Sequence, residues 1–149
     1  MALNTSLERQ IYPEPQNIVH THVGDGNGKL AIFHHDSGIL GGFSGQIEPG
    51  ETCEMAVTRE ALEELNIRLD RIIVTEDTHY GTSHRGKPVF ITTCLGFLPK
   101  GFIPSMLQFN HEIVGYELLS QIEALRKLRQ AGYQETYRGL LFIVKNKLI

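Results

Sequence analysis

A chain of 149 residues with 41% hydrophobic and 21% charged content has the make-up of an ordinary globular protein, so residues 1–149 are expected to form one domain with a sizeable core. Its formal net charge of −3 gives no electrostatic case for coating a nucleic acid or an anionic membrane. Cys53 and Cys94 are too few for a disulfide framework and lack metal-type spacing; with a polar start, no apolar signal core and no apolar run of about 18 residues, they point to a reduced, cytoplasmic setting without a membrane span.

In chain order, residues 17–23 (NIVHTHV) and 30–35 (LAIFHH) read as strands joined by the glycine-rich turn 24–28. No lysine follows that turn with P-loop spacing and no dinucleotide fingerprint is present, so a hairpin accounts for the glycines. Residues 44–52 (SGQIEPGET) hold two glycines and a proline and read as a tight loop, with Thr52 as the N-cap of a helix over 53–65. Residues 71–78 and 88–98 (PVFITTCLGFL) are strand-like, and 112–119 are expected to add a further strand. Residues 121–130 (QIEALRKLRQ) read as a helix bounded by Ser120 and Gly132. The apolar segment 136–147 has no periodicity that separates helix from strand. A mixed sheet with helices on either side follows.

The chemistry concentrates between Gly45 and Ile67. Glu60, Glu63 and Glu64 fall within five residues, preceded by Arg59 and, farther upstream, by Glu51. On a helix Glu60 and Glu64 are an i, i+4 pair with Glu63 beside them, while Val57, Ala61, Leu62 and Leu65 spread over the other side with Met55 at its margin. Like charges at this spacing cost a helix a few tenths of a kcal/mol per pair, roughly 0.2–0.5. A divalent cation reverses that sign, and dense oxygen ligands suit Mg²⁺ or Mn²⁺ better than zinc.

This segment resembles the Nudix box: G, five residues, E, seven residues, then R-E-U-x-E-E-x-G-U, where U is a bulky aliphatic. Gly45, Glu51, Arg59, Glu60, Glu63, Glu64 and Ile67 match at the right spacing. Ala61 stands at a U position and stays apolar; Asn66 replaces the last glycine and is the next most tolerant residue for a left-handed helix end. The resemblance implies an α/β/α sandwich with a mixed central β-sheet. It also implies hydrolysis of a diphosphate bond in a nucleoside diphosphate linked to another moiety, such as a nucleoside triphosphate. Mg²⁺ or Mn²⁺ would then be held by Glu60, Glu63, Glu64 and the Ser44 carbonyl, with Glu63 and Glu64 counted as catalytic. A homodimer is a family-level expectation. Glu51 and Arg59 are expected to pair, tying loop to helix.

Outside the box, Glu112 is the candidate general base, at about the offset the family shows before its last strand and helix, with Glu117 the next choice. Arg85 and Lys87, on the loop 81–87 with two hydroxyls, are candidates to hold a phosphate. Tyr12, Phe43, Tyr80 and Phe109 are available to stack a base, since the chain has no tryptophan. A zinc site is rejected: His20 and His22 alternate on a strand, His34 and His35 point to opposite faces, and His79, His84 and His111 lie apart. Two other functions compete with the hydrolase. A binding or sensor module would be favoured by a missing box glutamate, and an isoprenoid diphosphate isomerase by a cysteine placed in the pocket.

Overall fold

The computed structural model describes residues 15–83, 85–110 and 112–149, so Tyr12, His84 and His111 lie outside the described residues. Its central strand is β1 (Gln16–Gly24), whose Val19, Thr21 and Val23 line one face and whose His20 and His22 line the other. β6 (Pro88–Phe97) runs parallel to β1 from the Gln16–Val89 pair to the Gly24–Phe97 pair. β5 (Ile72–Thr82) is antiparallel to β6 and forms the edge, with a register shift between Val74 and Thr78.

The opposite side of β1 is divided between two partners. Its end pairs with β2 (Leu30–His35) through the expected hairpin, and its start pairs with β4 (Phe43–Gln46). The short β3 (Leu40–Gly41) stays on β2, while β7 (Ile113–Leu119) covers the far side of β2 and completes a seven-stranded mixed sheet. The chain switches from β2 to β1 between β3 and β4, at Gly42. A Cβ there would run into the Thr21 carbonyl, so only glycine lets the two backbones meet.

Helix α1 (Cys53–Leu65) covers one face over Val19, Phe33, Phe43, Val57, Ala61 and Leu65. Helices α2 (Gln121–Ala131) and α3 (Gln134–Lys145) cover the other, where Leu30, Ile32, Leu128 and Leu140 are almost wholly buried. Each such side chain contributes about 1.5–3 kcal/mol relative to exposure. The result is the α/β/α sandwich expected from the sequence.

Three readings change. Residues 43–46 are a strand, because β1 offers them an unpaired edge that local glycine content does not reveal. Residues 134–145 are helical, their Leu140 and Ile143 being fully buried, so tertiary packing decided what periodicity left open. Leu62 and Met55 of α1 face solvent, whereas Glu60 and Glu64 sit on its buried side with Ala56, Val57, Ala61 and Leu65. The carboxylates are therefore turned toward the sheet.

Candidate active site

Thr52 accepts a hydrogen bond from the Met55 amide at 3.1 Å and starts α1 as an N-cap. Asn66 ends the helix at φ 57°, ψ 31°, the left-handed turn expected of the residue standing in for glycine. Between these caps, Arg59 clamps the preceding loop. Its Nε and Nη2 donate to the two Glu51 oxygens at 2.9 Å each, Nη2 also reaches the Gln46 carbonyl at 2.9 Å, and Nη1 reaches Glu60 Oε1 at 2.7 Å. Glu51 also takes the Glu48 amide at 2.8 Å. The Arg59 hydrogen bonds hold the Glu51 carboxyl down to about 2. Glu51 is fully engaged within the protein.

Gly45 faces α1 directly. A Cβ on it would overlap the Glu60 carboxylate, so the box glycine is the space that Glu60 occupies. Glu60 is 9% and Glu64 6% exposed. Burial raises the Glu60 carboxyl against the opposing pull of Arg59. Burial, then the charges of Glu60 and Glu112, push the Glu64 carboxyl up to about 8, and Glu64 Oε2 is buried with no hydrogen-bond partner among the described residues. Glu63 lies farther out, its Oε2 3.5 Å from Arg59 Nη1.

The segment before β7 docks on the end of α1. Gln108 N donates to the Leu65 carbonyl at 3.1 Å and Asn110 N to the Glu64 carbonyl at 3.3 Å, which satisfies helix carbonyls otherwise left open. Asn110 Oδ1 in turn accepts the Glu112 amide at 3.0 Å, and the Glu112 carbonyl accepts the Asp36 amide at 2.8 Å. Glu112, Glu64 and Ser44 thereby line one cavity of about 430 Å³. Arg85 and Lys87 line a second, of about 500 Å³, together with Ser44, Gly45 and Gln46. The two cavities share His20, Ile39, Ser44 and Thr136 and form a continuous groove.

The donor set facing Glu64 is all oxygen and includes an unpartnered buried carboxylate atom, which fits a hard divalent cation. With Arg59 on Glu60 Oε1, no three His, Cys, Asp or Glu side chains among the described residues converge as ligands of one ion.

Several other candidates are elsewhere. Glu117 is tied to Lys127 and lies 3.5 Å from His34, which lowers its carboxyl and leaves it outside the groove. Of the aromatic candidates, Phe43 is fully buried, Phe109 packs edge-on against Phe33 and Tyr116, and Tyr80 is 75% exposed with its ring against Phe90. None of these three lines the groove. Cys94 is buried, which pushes its thiol up to about 12, and Cys53 is half-buried at the start of α1.

The histidines are less scattered than their spacing suggests. His20 and His22 have ring centroids 4.9 Å apart, and His79 comes from β5 to the same polar layer beneath α3. Thr93 and Asp77 belong to that layer, joined by a 2.7 Å hydrogen bond, and Arg138 of α3 approaches Asp77 at 3.9 Å. Gly139 lets α3 come this close: its Cβ would stand 2.9 Å from Thr93 Oγ1 and 3.3 Å from His22 Nε2. Burial, then the charges of His35 and His79, hold His20 down to about 4. The alternation of His20 and His22 was the available signal, but only the β1–β6–β5 register brings His79 to them.

The fold and the acidic helix facing a groove define a class of diphosphate-acting α/β/α proteins, and the sequence model of that class matches: the NUDIX domain aligns over residues 12–140. The chain belongs to the NUDIX family and is a Nudix hydrolase. Among solved structures it is similar to an E. coli dihydroneopterin triphosphate pyrophosphohydrolase, with TM-score 0.71 and 16% identity over 89% of this chain and 98% of that one. A C. elegans Ap4A hydrolase gives 0.62 and 18% over 88% and 98%, and a Nitrosomonas europaea NUDIX hydrolase 0.61 and 23% over 78% and 79%. At these identities the likeness is one of fold. No curated relative matches the sequence.

Proposed function

We propose that this protein hydrolyses a diphosphate bond in a nucleoside diphosphate linked to another moiety, with Mg²⁺ or Mn²⁺ as cofactor. The observation that carries the reading is Glu64: a carboxylate buried beside Glu60, with one oxygen unpartnered, on a groove that also holds Glu112 and the Ser44 backbone. Such a charge cluster is costly unless a cation neutralises it.

Glu60, Glu63, Glu64 and the Ser44 carbonyl are the residues that would hold the metal. When bound, it supplies charge neutralisation to the diphosphate and makes a coordinated water more acidic. Glu112 is assigned the general base, taking a proton from the attacking water. Its placement opposite Glu64, fixed through Asn110 and Asp36, supports that role. Arg85 and Lys87, across the groove, are assigned to hold negative charge on the part of the substrate that extends from the scissile bond. Arg59 and Glu51 keep the loop on the helix, and so keep Ser44 and Gly45 beside Glu60. The buried Cys94 does not favour isomerase chemistry. A cytoplasmic setting agrees with two free cysteines and with the absence, among the described residues, of a helix long and apolar enough to cross a membrane.

The test is hydrolysis of nucleoside triphosphates, nucleotide sugars, ADP-ribose and dinucleoside polyphosphates with Mg²⁺, with and without excess chelator, for wild type and Glu64→Gln. Turnover that requires the metal and falls by about 10² or more in the folded variant is expected. Full activity in chelator, or a near wild-type rate for Glu64→Gln, overturns the reading.

A further inference from the structure

The junction of the two cavities belongs to neither the acidic helix nor the cationic loop. It is built by His20 from the middle of β1, Ile39 from the turn before β3, and Thr136 from the first turn of α3, with Ser44 alongside. These residues come from three separate parts of the chain. Any substrate whose diphosphate lies by Glu64 and whose remainder runs toward Arg85 passes over them.

The chemistry at the junction is neither anionic nor cationic. Ile39 is 37% exposed, an apolar wall on an otherwise polar groove. Thr136 is seated against Gly41, its Cγ2 2.7 Å from where a Gly41 Cβ would stand, which fixes α3 at this point and sets the width of the gap. His20 is half-buried, and its Nε2 has no hydrogen-bond partner among the described residues. An imidazole beside a hydroxyl offers both donor and acceptor, and an aliphatic side chain covers a flat face. A heteroaromatic ring has that combination, apolar faces and a polar edge. A sugar carries hydroxyls around its whole rim and would set some of them against Ile39 without partners.

We propose that His20, Ile39 and Thr136 form the specificity subsite of the groove and that they bind the nucleobase of the substrate, His20 and Thr136 meeting its edge and Ile39 its face. This rests on the diphosphate reading above and adds the residues that would read the base. No canonical aromatic stack is needed for it; the ring lies on Ile39 instead.

Three ligands of the Mg²⁺-loaded protein separate the subsite from the reading beneath it: inorganic pyrophosphate, ribose 5-diphosphate and a nucleoside 5′-diphosphate, titrated by calorimetry. The expected order is pyrophosphate and ribose 5-diphosphate alike, with the nucleoside diphosphate tighter by about tenfold or more. His20→Ala and Thr136→Val should remove that gain and leave pyrophosphate affinity unchanged, with His20→Gln restoring part of it. Ile39→Ser, at a solvent-facing position that leaves the core intact, should also erase most of the gain, which keeps the test open if His20→Ala fails to fold. In steady-state hydrolysis the same variants should raise KM for a nucleoside substrate far more than they lower kcat. If pyrophosphate itself does not bind the wild type, the diphosphate reading fails and the subsite falls with it. If pyrophosphate binds but the base adds no affinity, if ribose 5-diphosphate binds as tightly as the nucleoside diphosphate, or if the variants weaken all three ligands equally, the subsite is wrong while the diphosphate reading stands.

Discussion

Glu64 and Asn66, two positions apart, show how one helix end serves stability and chemistry in opposite ways. Asn66 adopts a backbone that β-branched residues resist, at φ 57°. Asn66→Gly should be neutral or mildly stabilising and Asn66→Val should cost about 1–2 kcal/mol, read by urea unfolding. Equal stability of the two variants would contradict the left-handed cap. Glu64 instead carries a penalty. Its folded-state pKa of about 8 lies above the ordinary 4.5, so the folded protein binds the proton more tightly than the unfolded chain. That contribution to stability is present in full below about pH 4.5 and is lost as pH rises through about 8. In chelator, wild type should therefore lose Tm between about pH 5 and pH 8.5 relative to Glu64→Gln, by an amount on the order of a few kcal/mol. Parallel curves for the two proteins would show that Glu64 is not buried as a charge.

Among the elements, the β3–β4 switch and α1 together set the groove. Gly42 allows the chain to cross from β2 to β1 against the Thr21 carbonyl, and β4 then carries Ser44 and Gly45 under Glu60. Gly42→Ala meets backbone rather than a movable side chain, so a loss of about 3 kcal/mol or more is expected in thermal unfolding. Thr52→Ala removes only a cap and should cost about 1 kcal/mol. If the two substitutions prove equally mild, the strands do not approach at Gly42 as described. The box helix was legible from sequence to the residue, because its caps and its apolar spacing are local. β4 was not, since a four-residue strand exists only where a partner edge is waiting for it.

At the scale of the molecule, the catalytic groove needs segments far apart in the chain. The loop before β7 reaches Glu64 because its amides complete the end of α1, and this delivers Glu112. Glu112→Gln should lower kcat by about 10²–10⁴ with metal affinity and fold nearly intact, and the acid limb of the wild-type pH–rate profile should weaken in the variant. A wild-type rate for Glu112→Gln would leave water activation to the metal and the box glutamates. Glu117 is no substitute, being held by Lys127 on the other side of β7.

The sequence alone determined the box helix, its caps, the Arg59–Glu51 pairing, the central hairpin and the α/β class, since each depends on residues within a few turns of one another. It also carried the family, through side chains at fixed offsets along α1 and its loop. Only the tertiary structure decided which way α1 turns, burying Glu60 and Glu64 and exposing Leu62, because helical periodicity places residues on faces without saying what each face meets. It likewise decided that residues 134–145 are a helix over a polar floor, and that His20, Ile39 and Thr136 share one wall of the groove. Those contacts join β1, the turn before β3 and the last helix, and a parallel strand register is the physical link that no local pattern in the chain encodes.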